Sequence, residues 1–201
     1  MITTLFFDFA GVVATTKLFP KLAEIISRKT NVPAEKIERA LYADAECFVC
    51  GDQNTEDFWK EHLEPLGIEL SMFESEMQTW YTLRTDLLTY IDQLRKRGFV
   101  AHILSDNFDV CTKVMRNDNL FTSHFENLYF SNEIHLSKSG TDFFIHALKD
   151  ANVTAEESLF IDDKEKNVAM AEKIGLRGLV FNDTESFKVD LESILKQFSK
   201  F

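Results

Sequence analysis

The sequence predicts an α/β fold: a doubly wound parallel sheet with an inserted helical subdomain. Two observations carry that prediction. Short apolar runs of β-type residues alternate with helical segments along most of the chain, and the interval from Lys17 to Asp86 breaks the alternation with helical pattern alone. Alternation of strand and helix is the mark of a parallel sheet covered on both faces.

The first run, residues 4–7, ends on Asp8. Further runs follow at 99–104, 128–130, 159–161 and 178–181, several of them continuously apolar, as strands buried on both faces require. Four amphipathic segments fill the interruption, at 19–29, 34–46, 55–66 and 71–83. Pro33 stands near the first turn of the second, where its missing N–H does no harm. The segment 87–96 ends in a basic turn and Gly98, a C-terminal signal. Helices are expected at 142–150 and 167–173, the latter closed by Gly175, and the tail QFSKF reads as a frayed helix end. Residues 1–16 and 87–201 therefore form the expected α/β core, and 17–86 the insertion.

Composition narrows the function. The 201 residues are 45% hydrophobic, enough for one packed core. A net charge of −11 argues against nucleic acid or an anionic membrane as partner, while leaving room for a small phosphorylated substrate beside a local cation. No run has the length of a membrane span, no basic segment precedes an apolar one at the N-terminus, and three cysteines are few for a disulfide framework. A reduced, cytoplasmic protein is the expectation. The Cys47–Cys50 pair, a single CxxC at the end of an expected helix, reads as buried packing rather than a metal or redox site, and the five histidines have no metal spacing.

Ligands in open parallel sheets bind beyond the carboxyl ends of the strands. Strand 1 ends at Asp8; strand 2 at Ser105, Asp106 and Asn107; a loop after strand 3 holds Lys138; strand 4 ends at Asp162 and Asp163, with Asn167 beyond. Crowded carboxylates repel and call for a metal ion or raised pKa values. Oxygen donors from Asp8 and Asp163 with a backbone carbonyl suit Mg²⁺. Lys138 adds a fixed charge, and the Ser105–Asp106 stretch offers a hydroxyl and N–H groups to anionic oxygens. These are the parts of a phosphoryl-transfer site.

The same residues resemble the haloacid dehalogenase superfamily, in the branch with a helical cap after its first motif. That motif stands here as Asp8-Phe9-Ala10-Gly11-Val12; the second matches Ser105 at the end of ILS; the third matches Lys138 in LSKSGTDFF; the fourth matches Asp162-Asp163. The resemblance implies a Rossmann-like core with strand order 5-4-1-2-3. It implies an aspartyl-phosphate at Asp8, and Mg²⁺ held by Asp8, the Ala10 carbonyl and Asp163, with Asp162 in support. Ser105 and Lys138 would bind the phosphoryl group.

Ala10 departs from the pattern. Phosphatases of the family usually carry there a second Asp that protonates the leaving oxygen and activates water, work that contributes about 10²–10⁴-fold. Three readings follow: a Mg²⁺-dependent phosphatase of a small metabolite, a dehalogenase-like enzyme attacking carbon, or a weak or inactive phosphate-binding protein.

Overall fold

The computed structural model describes residues 1–71 and 80–198. At its centre lies an all-parallel sheet of β1 (Thr4–Phe7), β2 (Val100–Ser105), β3 (Leu128–Phe130), β4 (Ser158–Asp162) and β5 (Arg177–Val180), in the order β3-β2-β1-β4-β5. Every strand falls within a residue of its expected position, and the order is the one the family resemblance implies.

Alternation along β1 builds two cores. Leu5 and Phe7 face Ile103, Ile161 and the apolar sides of α5 (Thr85–Lys96) and α11 (Thr184–Phe198). Phe6 faces the other way, onto Leu104, Phe160 and the Phe143–Phe144 pair of α9 (Asp142–Asp150). Each such ring, fully buried, contributes roughly 1.5–3 kcal/mol. This explains why the central strand reads as an unbroken apolar run: neither face meets water.

Between β1 and α5 come α1 (Leu18–Thr30), α2 (Ala34–Leu41), α3 (Ala45–Val49), α4 (Thr55–His62) and a 3₁₀ turn at Glu64–Leu66. The expected helix 34–46 is in fact two. At its break the Ala43 N–H donates to the Ala40 carbonyl, three residues back, and the chain turns. The expected helix 55–66 stops at His62, because Pro65 has no N–H to give and its ring crowds the preceding turn. The expected helix 71–83 lies largely outside the described residues, as does the end of the tail.

Phe48 of α3 stacks between Phe58 of α4 and Phe108, at 3.9 and 4.4 Å between ring centroids. Thr55 bonds the Asp109 carboxylate at the start of α6 (Asp109–Arg116). These contacts seat the inserted helices beside the β2 rim. The short α7 (Asn119–Thr122) and α8 (Ser131–Ile134), and α10 (Glu165–Glu172) after β4, complete the described helices. Among the described residues no helix is long and apolar enough to cross a membrane.

Candidate active site

Strand pairing creates the site. Phe7 pairs with Ile161, so the next residues along β1 and β4, Asp8 and Asp162, come side by side. The Asp8 N–H donates to the Ile161 carbonyl at 2.8 Å, which continues the ladder to the end of β1. Asp8 is 4% exposed and Asp162 fully buried. Two carboxylates so placed need a cation. Lys138 supplies it: its Nζ donates to Asp8 Oδ1 at 2.7 Å and to Asp162 Oδ2 at 2.9 Å. The Lys138 main chain is fixed in turn, its N–H donating to Asp106 Oδ1 at 3.0 Å.

Burial pushes the Asp8 carboxyl up to about 7, against the pull of Lys138. Burial also raises Asp106. For Lys138 burial works downward, but Asp162, Asp8 and Asp106 outweigh it and hold the ammonium above its ordinary range. Lys138 is therefore a permanent cation, and the acids around it outnumber it.

The two acids of the fourth motif differ sharply. Asp162 is saturated: besides Lys138 it accepts from the Asn167 amide at 2.9 and 3.1 Å and from the Lys164 N–H at 2.8 Å, at the start of α10. Asp163 has buried oxygens without a hydrogen-bond partner; Lys17 lies 2.9 Å from its Oδ2 as an ion pair. Asp163 also depends on Gly11. That residue has φ +97°, and a Cβ there would stand 2.7 Å from Asp163 Oδ2, so glycine serves both the left-handed turn and the close approach. The loop is tied by Gly11 N–H to the Ala14 carbonyl (2.9 Å) and by Arg84 Nε to the Val12 carbonyl (2.9 Å).

Asp8, Asp162 and Asp163 each bring a carboxylate oxygen within 4.8 Å of the others. An all-oxygen donor set, in excess over its resident cations and with Oδ1 of Asp163 unpartnered among the described residues, fits a hard divalent ion. With Asp162 already saturated, Asp8 and Asp163 are the side chains available to hold it.

A cleft of about 200 Å³ opens beside these groups. Asp8, Ala10, Asp106 and Lys138 line one side; Phe19 of α1, Tyr42, and Glu46 and Val49 of α3 line the other. Ala10 thus forms part of the wall. Glu46 accepts hydrogen bonds from the hydroxyls of Ser137 and Ser139, on either side of Lys138.

The strand-end residues of β2 are less engaged. Ser105 is buried, its hydroxyl directed to the Asp106 carbonyl at 3.4 Å. Asn107 is structural, its amide at Met115 Sδ and its side-chain oxygen on the Phe108 N–H. The CxxC expectation needs correction at one position: Cys50 is buried and its thiol is raised to about 11, mainly by burial, but Cys47 is exposed. Lys17 and Glu46 were not anticipated from the sequence. Lys17 meets Asp163, and Glu46 meets Ser137 91 residues further along the chain, and no local pattern signals either contact.

Fold and rim together define a doubly wound α/β domain with an acid and lysine cluster at the carboxyl ends of its central strands. Residues 2–175 match the family model of the haloacid dehalogenase-like hydrolases, and the chain belongs to that family. It is 26% identical over 217 aligned positions to a D-ribitol-5-phosphate phosphatase of Bacteroides thetaiotaomicron, covering 97% of this chain and 99% of the relative. A HAD-like hydrolase structure from Porphyromonas gingivalis superposes with a TM-score of 0.78 at 22% identity, over 97% of this chain and 98% of that one. A HAD family enzyme from B. thetaiotaomicron, solved with magnesium and inorganic phosphate, gives 0.75 at 22% identity, over 90% and 95%.

Proposed function

We propose that this hydrolase is a Mg²⁺-dependent phosphatase of a small phosphorylated metabolite, with Asp8 as the nucleophile. The observation that carries the reading is the Lys138 ammonium shared by Asp8 and Asp162 beside an Asp163 met only at Oδ2, by Lys17, among the described residues. The named activity of the ribitol-phosphate relative and the phosphate complex of the structural neighbour support it.

In this reading an Asp8 oxygen bonds to phosphorus as the ester oxygen departs, leaving an aspartyl-phosphate. Water then attacks that phosphorus and frees Asp8. Asp8, Asp163 and the Ala10 carbonyl would hold the ion, with Asp162 orienting Lys138 behind them. When bound, Mg²⁺ offsets the negative charge of the phosphoryl group and the carboxylates. Lys138 keeps Asp8 aimed and meets the phosphoryl oxygens, joined by the Asp106 region and by Ser105 once its hydroxyl rotates. Residues 17–86 act as a helical cap over the core of 1–16 and 87–201, and set the substrate through Phe19, Tyr42 and Glu46. The free thiols suit a reducing, cytoplasmic setting.

Ala10 offers the leaving oxygen no proton, so departure depends on the acidity of the leaving group. The test is a panel of phosphate esters, with Mg²⁺ and with chelator, on wild type and Asp8→Asn. Turnover that needs Mg²⁺ and disappears in a folded Asp8→Asn is the expected result. Full activity in Asp8→Asn overturns the mechanism. Indifference to chelator would point to the carbon-attacking alternative, and phosphate binding without turnover to a binding protein.

A further inference from the structure

Two lysines touch the acid cluster, and they are bound very differently. Lys138 has a side chain 2% exposed and is held by two carboxylates. Lys17, the residue just before α1, has a side chain 63% exposed and, among the described residues, a single side-chain partner, Asp163 Oδ2, at 2.9 Å. The Asp163 side chain is itself only 9% exposed, and its Oδ1 has no hydrogen-bond partner among the described residues, so the Lys17 ion pair at Oδ2 is what compensates it. A buried carboxylate must have a counter-charge, but an ammonium mostly in water is a replaceable one. With its ammonium end open to water the pair is screened as surface pairs are, and those shift an equilibrium by only about twofold to fivefold.

We infer that Lys17 and a divalent ion compete for Asp163: the ammonium holds the carboxylate in the metal-free protein, and metal entry displaces it. The inference rests on the reading of the acid cluster as a Mg²⁺ site. Lys17 also leads directly into Leu18 and Phe19, which line the cleft. Displacement therefore cuts a tether between the end of β4 and the start of α1. Metal loading loosens the cleft wall at the place where it borders the nucleophile.

The test is calorimetric Mg²⁺ titration of wild type, Lys17→Met and Lys166→Met at low ionic strength. Lys166 also lines the cleft, so its removal subtracts the same charge without the ion pair. Lys17→Met is expected to bind Mg²⁺ about twofold to fivefold more tightly than wild type, with Lys166→Met nearly unchanged and the gain shrinking as salt screens the pair. In wild type, amine acylation read by mass spectrometry should modify Lys17 faster once Mg²⁺ is added, while the exposed Lys36 of α2 keeps its rate. Equal Mg²⁺ affinity in wild type and Lys17→Met, or a Lys17 acylation rate that ignores Mg²⁺, overturns the competition and leaves the metal site standing. A wild type that binds no Mg²⁺ overturns the metal site and the competition together.

Discussion

The two halves of the sheet's carboxyl rim have similar sequence credentials and opposite fates. Both end apolar strands in Asp, Ser or Asn. On the β1/β4 half, Asp8 and Asp162 meet across one ammonium and Asp163 stands close by, so nearly every polar atom faces a charge. On the β2/β3 half only Asp106 of the strand-end residues lines the cleft, and the polar groups beyond it hold the scaffold. Asn107 gives its N–H to Ser131 at 2.8 Å and its amide to Met115, and the Ser131 hydroxyl reaches the Val49 carbonyl at the end of α3. Position at a strand end makes a residue available for chemistry; its neighbours decide whether it is used.

The largest expected effect strikes the charged half. Lys138→Met strands Asp8 and Asp162 as buried carboxylates without their cation, a change that costs about 3–5 kcal/mol. Denaturant unfolding of the metal-free protein measures it, and added Mg²⁺ should restore part of the loss. A cost below about 1 kcal/mol would place this cluster with ordinary surface ion pairs and erase the contrast.

Next in size is a gain. Ala10→Asp returns a carboxyl group to the cleft wall beside Asp8 and should raise turnover of simple alkyl phosphates by up to ~10²-fold. Aryl and acyl phosphates, whose leaving groups need no proton, should gain little. Rates across esters of graded leaving-group pKa give the answer. A flat wild-type series with no gain in the mutant would mean that another group supplies the proton.

The smallest expected effect probes the scaffold half. His102 in β2 stacks on Phe6 at 5.0 Å and accepts the Asn127 N–H at Nδ1 (3.2 Å), and burial lowers its pKa to about 4. Its unfolded value is about 6.5. Below that pH the unfolded chain takes up a proton that the native state refuses, so stability present above pH 6.5 is lost as pH falls towards 4. Between pH 7 and pH 5 the loss is about 2 kcal/mol. His102→Gln cannot titrate, so the difference in its unfolding free energy from wild type should narrow by that amount at pH 5. A difference independent of pH would show that His102 is protonated in the folded protein.

The central strands were legible because β1 and β4 are buried on both faces, which leaves their middles almost free of polar residues. The acids were legible because they terminate those runs. Helix boundaries were less so. The turn at Tyr42–Asp44 divides α2 from α3 with no Gly or Pro to announce it, and α8, four residues long, is too short to show a period. The partners of the site were the least visible. That Asp162 would be saturated and Asp163 left with one exposed lysine depends on where α10 and the segment before α1 come to rest, which adjacent letters in a sequence do not encode. The role of Ala10 could be posed from the sequence, but its place in the cleft wall needed the packing of α1 and α3 above it.

The pairing of β1 with β4 acts as a ruler. Hydrogen-bonded strands lie about 4.8 Å apart whatever their side chains, and the register that sets Phe7 beside Ile161 carries that interval one step further, to two acids. The spacing of the main chain at Asp8 and Asp162 is thus set by strand pairing. Side-chain substitution elsewhere can alter what enters the gap but not its width. With an acid at each of these two positions, the register alone brings two carboxylates together, and a cation such as Lys138 must lie between them.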